Sequence, residues 1–364
     1  MKIIMKVVAI IVFITISPLV FGQTPKEMAR EKLEKAVDLM DNGKLDESIA
    51  LLEEALKLDA DNKYPYSYEM DYAYYSKEDY KKSIKILKSI KNERGVSERY
   101  YQLLGNSYDM MGDSKKALKT YDNGLKKFPN SGKMYLEKGN VYLGKKEYEQ
   151  ALAFYEQGIQ AEPEFPSNYY RATLLYCSSS EKIWGVIYGE IFMNLERNSK
   201  RTVEISELLY NTYKKAIRID SDTSGSLNLS RNFILAVNTK SKNVVPFSMA
   251  YELTMCIGLP LGKMTKDKTE LIASLTAMRT TFITNWWLKN SNVTYPNALI
   301  DYQKLLMDKG YFEAYNYWLL MKGDEDESDA WIGKNKEKWD EFVKWYTNNP
   351  MKINESNKFY KDRY

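Results

Sequence analysis

Residues 101–129 read YQLLGNSYDMMGDSKKALKTYDNGLKKFP, and residues 135–163 read YLEKGNVYLGKKEYEQALAFYEQGIQAEP. Placed one above the other, they match at Tyr101/Tyr135, Gly105/Gly139, Tyr108/Tyr142, Ala117/Ala151, Tyr121/Tyr155 and Pro129/Pro163, each pair 34 positions apart. One further landmark of the first stretch, Leu104, lacks its counterpart, Lys138 standing there. Small residues at fixed offsets (Gly105, Ala117, Gly124) let two antiparallel helices approach closely, and the large tyrosines fill the gaps beside them. Pro129 and Pro163 stop the second helix of each pair, since proline has no N–H for the ladder. Ser97, Ser131 and Ser167 stand where the following first helices need caps. One pair cannot bury its apolar face alone, so the pairs must stack, and a tyrosine stripe at these spacings is core material.

Stepping back from Ala117 reaches Ser83 and then Ser48, at spacings of 34 and 35. The copy around Ser83 keeps Tyr74 and Leu87 but has Asp71 at the glycine position. The copy around Ser48 has Ala36, Leu39, Gly43, Leu52 and Ala55. Stepping forward from Ala151 reaches Gly185, with Tyr169, Ala172 and Tyr176 ahead of it, so 166–198 reads as a fifth, degenerate unit. The pattern resembles the tetratricopeptide repeat (TPR), a helix pair of about 34 residues with W-x2-L-G-x2-Y, A-x3-F and P. The likeness covers residues 27–198, strongest in the middle. It implies an all-α solenoid of helical hairpins.

The resemblance also implies a site. In TPR proteins a stripe on the first helices lines a concave groove that takes peptides and extended partner segments. Carried over, that stripe is Tyr68, Tyr72 and Tyr75, then Arg99, Gln102, Asn106 and Asp109, then Lys133, Leu136, Asn140 and Leu143, then Tyr170, Leu174 and Cys177. The expected peptide-binding residues are Tyr68, Tyr72, Tyr75, Arg99, Gln102, Asn106, Asp109, Lys133, Asn140 and Tyr170. Asn106 and Asn140 suit a peptide backbone because an amide offers both donor and acceptor. Asn106 is expected to point into the groove and carry little stability. Glu137 stands where carboxylate-clamp members of the family need a base, so capture of a C-terminal carboxylate is not expected.

Composition narrows the function. The 364 residues hold 53 Lys and Arg against 49 Asp and Glu, a net charge of +4, too balanced for a protein that coats nucleic acid. No histidine is present, which removes Ser-His-Asp and Cys-His nucleophiles, His-ligated zinc and imidazole proton shuttles. Cys177 and Cys256 are the only cysteines; a disulfide and two buried small apolar groups are both open, the second being the blander reading. No cofactor or metal is expected.

Residues 1–22, MKIIMKVVAIIVFITISPLVFG, have the layout of a secretory signal: Lys2 and Lys6, an apolar run from Val7, and small or neutral residues before Gln23. Cleavage near Gly22-Gln23 would leave a periplasmic or secreted chain with no stable membrane anchor; an uncleaved anchor is the alternative. That reading gives three segments: a signal peptide (1–22), a TPR solenoid of about five repeats (23–198) and an all-α C-terminal domain (199–364). In the last, apolar periodicity predicts helices over 201–219, 245–258, 267–289, 297–309, 310–322 and 328–348, with no sustained strand alternation. The block 183–213 resembles one in exported TPR proteins of Bacteroides-type bacteria.

Candidate chemistry is thin. Asp220-x-Asp222-x-Ser224-Gly225 opens like a calcium loop, but Arg231 stands where the bidentate Glu belongs, which favours a Ser- and Gly-rich turn. Asp324 to Asp329 is an acidic run that reads as a solvated loop before a helix near Ala330. No phosphate loop or nucleophile elbow is present. The expected function is a non-catalytic exported scaffold binding a polypeptide partner, without nucleic acid. The alternatives are a glycan-binding accessory protein using exposed Trp faces, or an enzyme with its site in 199–364. Exposure of Trp286, Trp287, Trp318 and Trp331 separates the first alternative from core packing.

Overall fold

The computed structural model describes residues 23–221, 224–230, 245–259 and 270–363. The expected signal segment 1–22 and Asp222 of the calcium-like loop lie outside them. The chain divides into two compact units, Met1–Val96 and Ser97–Tyr364.

The first unit holds two helix pairs, α1 (Pro25–Asp41) with α2 (Leu45–Leu58) and α3 (Lys63–Ser76) with α4 (Tyr80–Ile90). Thr24 and Glu27 form a reciprocal capping box at the start of α1. Ala36, Met40, Ile49, Leu52, Met70 and Ala73 pack together between the helices. Asp71 sits fully buried where the stronger repeats have glycine. Ser83 lies beside it, and burial pushes its carboxyl up to about 7.

The second unit continues with α5 (Glu98–Met110) and α6 (Ser114–Leu125), α7 (Gly132–Gly144) and α8 (Tyr148–Ala161), and α9 (Pro166–Cys177) and α10 (Lys182–Leu195). Ser131 caps α7 as expected, its Oγ accepting from Met134 N at 3.4 Å. Two expected caps differ: Ser97 makes no side-chain cap bond, and Ser167 lies inside α9, where its Oγ accepts from Arg201. The second helices α4 and α6 are capped by Asp79 and Asp113, which accept from Lys82 N and Lys116 N.

The turn between paired helices repeats four times. Gly43, Glu78, Gly112 and Lys146 all adopt positive φ, 61–81°. In each turn the next N–H donates five residues back: Lys44 to Leu39, Asp79 to Tyr74, Asp113 to Tyr108 and Glu147 to Tyr142, at 2.8–3.0 Å. The two weak copies share this turn with the two strong ones. The α9/α10 pair lacks it.

The glycines confirm the close approach. A Cβ on Gly105 would lie 2.1 Å from Tyr121 Cε1, and one on Gly139 would lie 2.3 Å from Tyr155 Cε1. Gly105→Leu is therefore expected to cost about 1–3 kcal/mol through overpacking. Urea unfolding of the full chain checks this; an unchanged midpoint would show that the helices do not meet there.

Beyond α10 follow α11 (Lys200–Ala216), a short antiparallel hairpin of β1 (Ile217–Ser221) and β2 (Ser224–Leu227), α12 (Phe247–Ile257), α13 (Leu271–Leu288), α14 (Ser291–Thr294), α15 (Ala298–Asp308), α16 (Phe312–Leu320), α17 (Glu325–Lys334) and α18 (Lys336–Asn348). The hairpin replaces the helix end expected before the Ser- and Gly-rich turn. The helix expected over 328–348 is two, broken at Asn335. The acidic run is not a solvated loop. Asp324 caps α17, and Glu327 accepts from Ile272 N and Ala273 N at the start of α13.

Twelve successive residues of α10, Ile183–Asn194, are buried. A helix apolar on all sides is a core helix, and one continuous core runs from Ala151 to Phe359. The boundary expected at 198/199 falls inside this core. At its centre Arg279 Nη2 donates to Glu190 Oε1, both residues being 2% exposed. Gln303 Nε2 and Tyr315 Oη also donate to that oxygen, at 2.7 and 2.9 Å, and Arg279 Nη1 donates to Asn316 Oδ1 at 2.6 Å. The pair thus ties α10 to α13, α15 and α16. Phe359, from the segment after α18, is buried against Trp184, Tyr188 and Phe247.

Candidate functional site

Helices α5, α7 and α9 lie side by side in the second unit, so residues of one stripe come together across repeats. Gln102 Nε2 donates to Glu137 Oε1 at 2.8 Å, and Asn106 Nδ2 reaches the same oxygen at 3.5 Å. Asn140 Nδ2 donates to Glu137 Oε2 at 3.0 Å. Glu137, read in the sequence only as the wrong charge for a clamp, is the centre on which three expected residues converge. Its place three residues before Asn140, one turn along the same face, was the available signal.

The other side of each Asn is committed. Tyr121 Oη donates to Asn106 Oδ1 at 2.6 Å, and Tyr155 Oη donates to Asn140 Oδ1 at 3.0 Å. Burial pushes the Tyr155 hydroxyl well above its ordinary range, so it stays a donor. The same tyrosine ring covers the preceding glycine, so Gly-Asn is one device in both repeats: glycine admits the ring and Asn receives its hydroxyl. The small stability role expected for Asn106 is corrected accordingly, because its loss strips the buried Tyr121 hydroxyl of this acceptor.

Lys133 Nζ donates to Glu98 Oε1 at 3.2 Å. Burial works against the charge on Glu98, but hydrogen bonds from Ser131 and Lys133 outweigh it and hold the carboxyl below its usual range. Asp109 accepts from Ser114 Oγ at 3.2 Å, and Arg99 is exposed. Tyr170 Oη donates to Glu204 Oε2 at 2.6 Å, with the Arg201 guanidinium 5.0 Å from its ring centre. Cys177 leaves the stripe: it is buried, and its Sγ would lie 2.6 Å from a Cβ on Gly185. Cys177 and Cys256 are both free thiols. In the first unit, Tyr68, Tyr72 and Tyr75 lie along α3; Tyr72 is 48% exposed, and Tyr68 stacks on Tyr64 at 5.8 Å.

The tryptophans sit in or against the core. Trp184 and Trp286 are buried and the other five are half-buried, Trp331 lying flat on Tyr317 at 4.4 Å. The coplanar exposed pair that sugar stacking needs is not among the described residues. No described helix is long and apolar enough to cross a membrane.

Two tetratricopeptide-repeat family profiles match the chain, one over residues 103–168 and one over 39–62. The chain carries tetratricopeptide repeats. The longer match spans both Gly-Asn devices and Glu137, with Gln102 one residue ahead of it. No curated protein matches the chain. Solved structures similar to it include the MamA protein, at 20% identity over 47% of this chain and 92% of that one, TM-score 0.37. Another is YrrB, described as a TPR protein with an unusual peptide-binding site, at 16% identity over 48% and 89%, TM-score 0.34. A third is pilF of Pseudomonas aeruginosa, at 13% identity over 53% and 86%, TM-score 0.44.

Proposed function

We propose that this TPR protein is an exported, non-catalytic scaffold that holds an extended polypeptide on the face formed by α5, α7 and α9. The observation that carries the reading is the convergence of Gln102, Asn106 and Asn140 on Glu137. Amide hydrogens and carboxylate lone pairs are already ordered there across two repeats, so a main chain laid along them adds little ordering cost on the protein side. Arg99, Asp109, Lys133 and Tyr170 supply polar contacts at its margins. Tyr68, Tyr72 and Tyr75 form a separate aromatic contact in the first unit. Residues 199–364 close the array rather than carry chemistry, and Lys2, Lys6 and the apolar run before Gln23 support export to the periplasm or medium.

A photo-crosslinking amino acid placed at Leu136, on the stripe, tests the face against the same group at Lys119, exposed on α6. Polypeptide adducts in cells are expected at 136, and are expected to fall when Arg99→Ala and Lys133→Ala are added. Equal adducts at 119 and 136 would remove the assignment.

A further inference from the structure

A cleft of about 840 Å³ opens between α8, the end of α9 and the segment after α18. None of the ten expected peptide-binding residues lines it; of the wider stripe, Leu174 does. Its apolar wall is formed by Leu152, Leu174 and Leu175, and the Tyr148 ring stands at its edge, 51% exposed. Its carboxylates are Glu149, Glu156, Glu181 and Asp362; among the lining residues the one cation is Lys361.

Lys361 shows what this surface holds. Its main-chain N–H donates to Glu156 Oε2 at 3.2 Å and to Tyr188 Oη at 2.9 Å. Its ammonium donates to Glu181 Oε2 at 2.5 Å and lies 5.2 Å from the centre of the Tyr176 ring. Glu156, 7% exposed, is fixed by Tyr176 Oη and Tyr188 Oη at 2.9 and 2.6 Å. Lys361, which opens a short 3-10 turn, is thus met by a buried carboxyl for its backbone N–H and by a rim carboxylate and an aromatic face for its ammonium. The open part of the cleft repeats those elements: Glu149 at the rim, the Tyr148 ring and the leucine wall.

We infer that the cleft is a second docking site, for a lysine- or arginine-bearing segment of another polypeptide that lies beside Lys361. It needs neither the Glu137 face nor the function proposed above. The acid excess selects the cation, and the leucines select an apolar residue next to it.

The test is fluorescence anisotropy on the full chain with a fluorescein-labelled, amidated Leu-Lys-Leu-Lys-Leu-Lys peptide, and with the same peptide carrying Glu for Lys. Tyr148→Ala with Glu149→Lys changes two exposed side chains, and an unchanged thermal melt confirms folding. The lysine peptide is expected to bind and the glutamate peptide not. The double variant is expected to weaken binding at least about tenfold. Gln102→Ala with Lys133→Ala, on α5 and α7 outside the cleft, is expected to leave binding as it was. The inference is overturned if the lysine peptide does not bind, if the glutamate peptide binds as well, if the double variant binds like the parent, or if the Gln102/Lys133 variant is the one that loses binding.

Discussion

Arg279→Met is expected to destabilise the second unit by about 3–5 kcal/mol, the usual cost of removing one partner from a buried ion pair. Glu190 would be left as a carboxylate 2% exposed, facing only the neutral donors Gln303 and Tyr315, while Asn316 Oδ1 would lose its donor. Methionine fills much of the arginine stem's volume, so the loss reports charge rather than a cavity. Adding Glu190→Gln to Arg279→Met should recover more than half of the loss, since the uncompensated charge is then gone. Urea unfolding of the full chain, followed by tryptophan fluorescence, measures both. A loss below about 1 kcal/mol for the single variant would place it with ordinary surface changes and contradict the pairing.

Asp71→Asn is expected to act in the opposite direction, by an amount that grows as pH rises above about 4 and is full above about 7. The folded carboxyl titrates at about 7 because burial penalises its charge, and Glu69 adds to the penalty. In the unfolded chain it titrates near its ordinary value of about 3.9. Between those values the folded state binds the proton and the unfolded state does not, so stability falls as pH rises from about 4 to about 7 and levels above that. The full interval corresponds to about 4 kcal/mol at most. Asn keeps the shape without the charge. Hydrogen exchange of the α3 and α4 amides in the full chain should therefore slow in the variant at pH 8 and match the parent most nearly at about pH 3, below the unfolded value, once corrected for intrinsic rates. Equal protection at pH 8 would mean that Asp71 carries no buried charge.

The central repeats were legible because their constraint is volumetric and local. Gly105, Ala117 and Gly124 announce a close approach, and Tyr121 fills it sixteen residues after Gly105 at the spacing the helix pair dictates. All four pairs share the same left-handed turn, but Glu78 in a weak copy and Lys146 in a strong one occupy two of its positions without the glycine that would have signalled it. The break at Asn335 was hidden because apolar spacing continues across it, and the β1/β2 hairpin because its strands are only five and four residues long. In the candidate site the residue types could be read along one helix. That Tyr121 holds the oxygen of Asn106, and that Glu137 gathers the amides, depends on partners in other helices and 15 to 35 positions away. Glu190 and Arg279 are 89 positions apart and leave no local trace at all.

The buried α10 sets how this molecule could have grown in evolution. Tandem arrays lengthen by copying a module and stacking the duplicate on an available flank. Here the last pair offers none, because the side of α10 that its partner α9 leaves open is covered by the elements that follow it. A duplicated module inserted after residue 195 would have to expel Arg279 and its partners from Glu190. One inserted at the loop before α7 would meet the same small and large residues it came from. Changes in array length among descendants of this sequence are therefore confined to the stretch upstream of α9, while the closing helices travel with α10 as one inherited block.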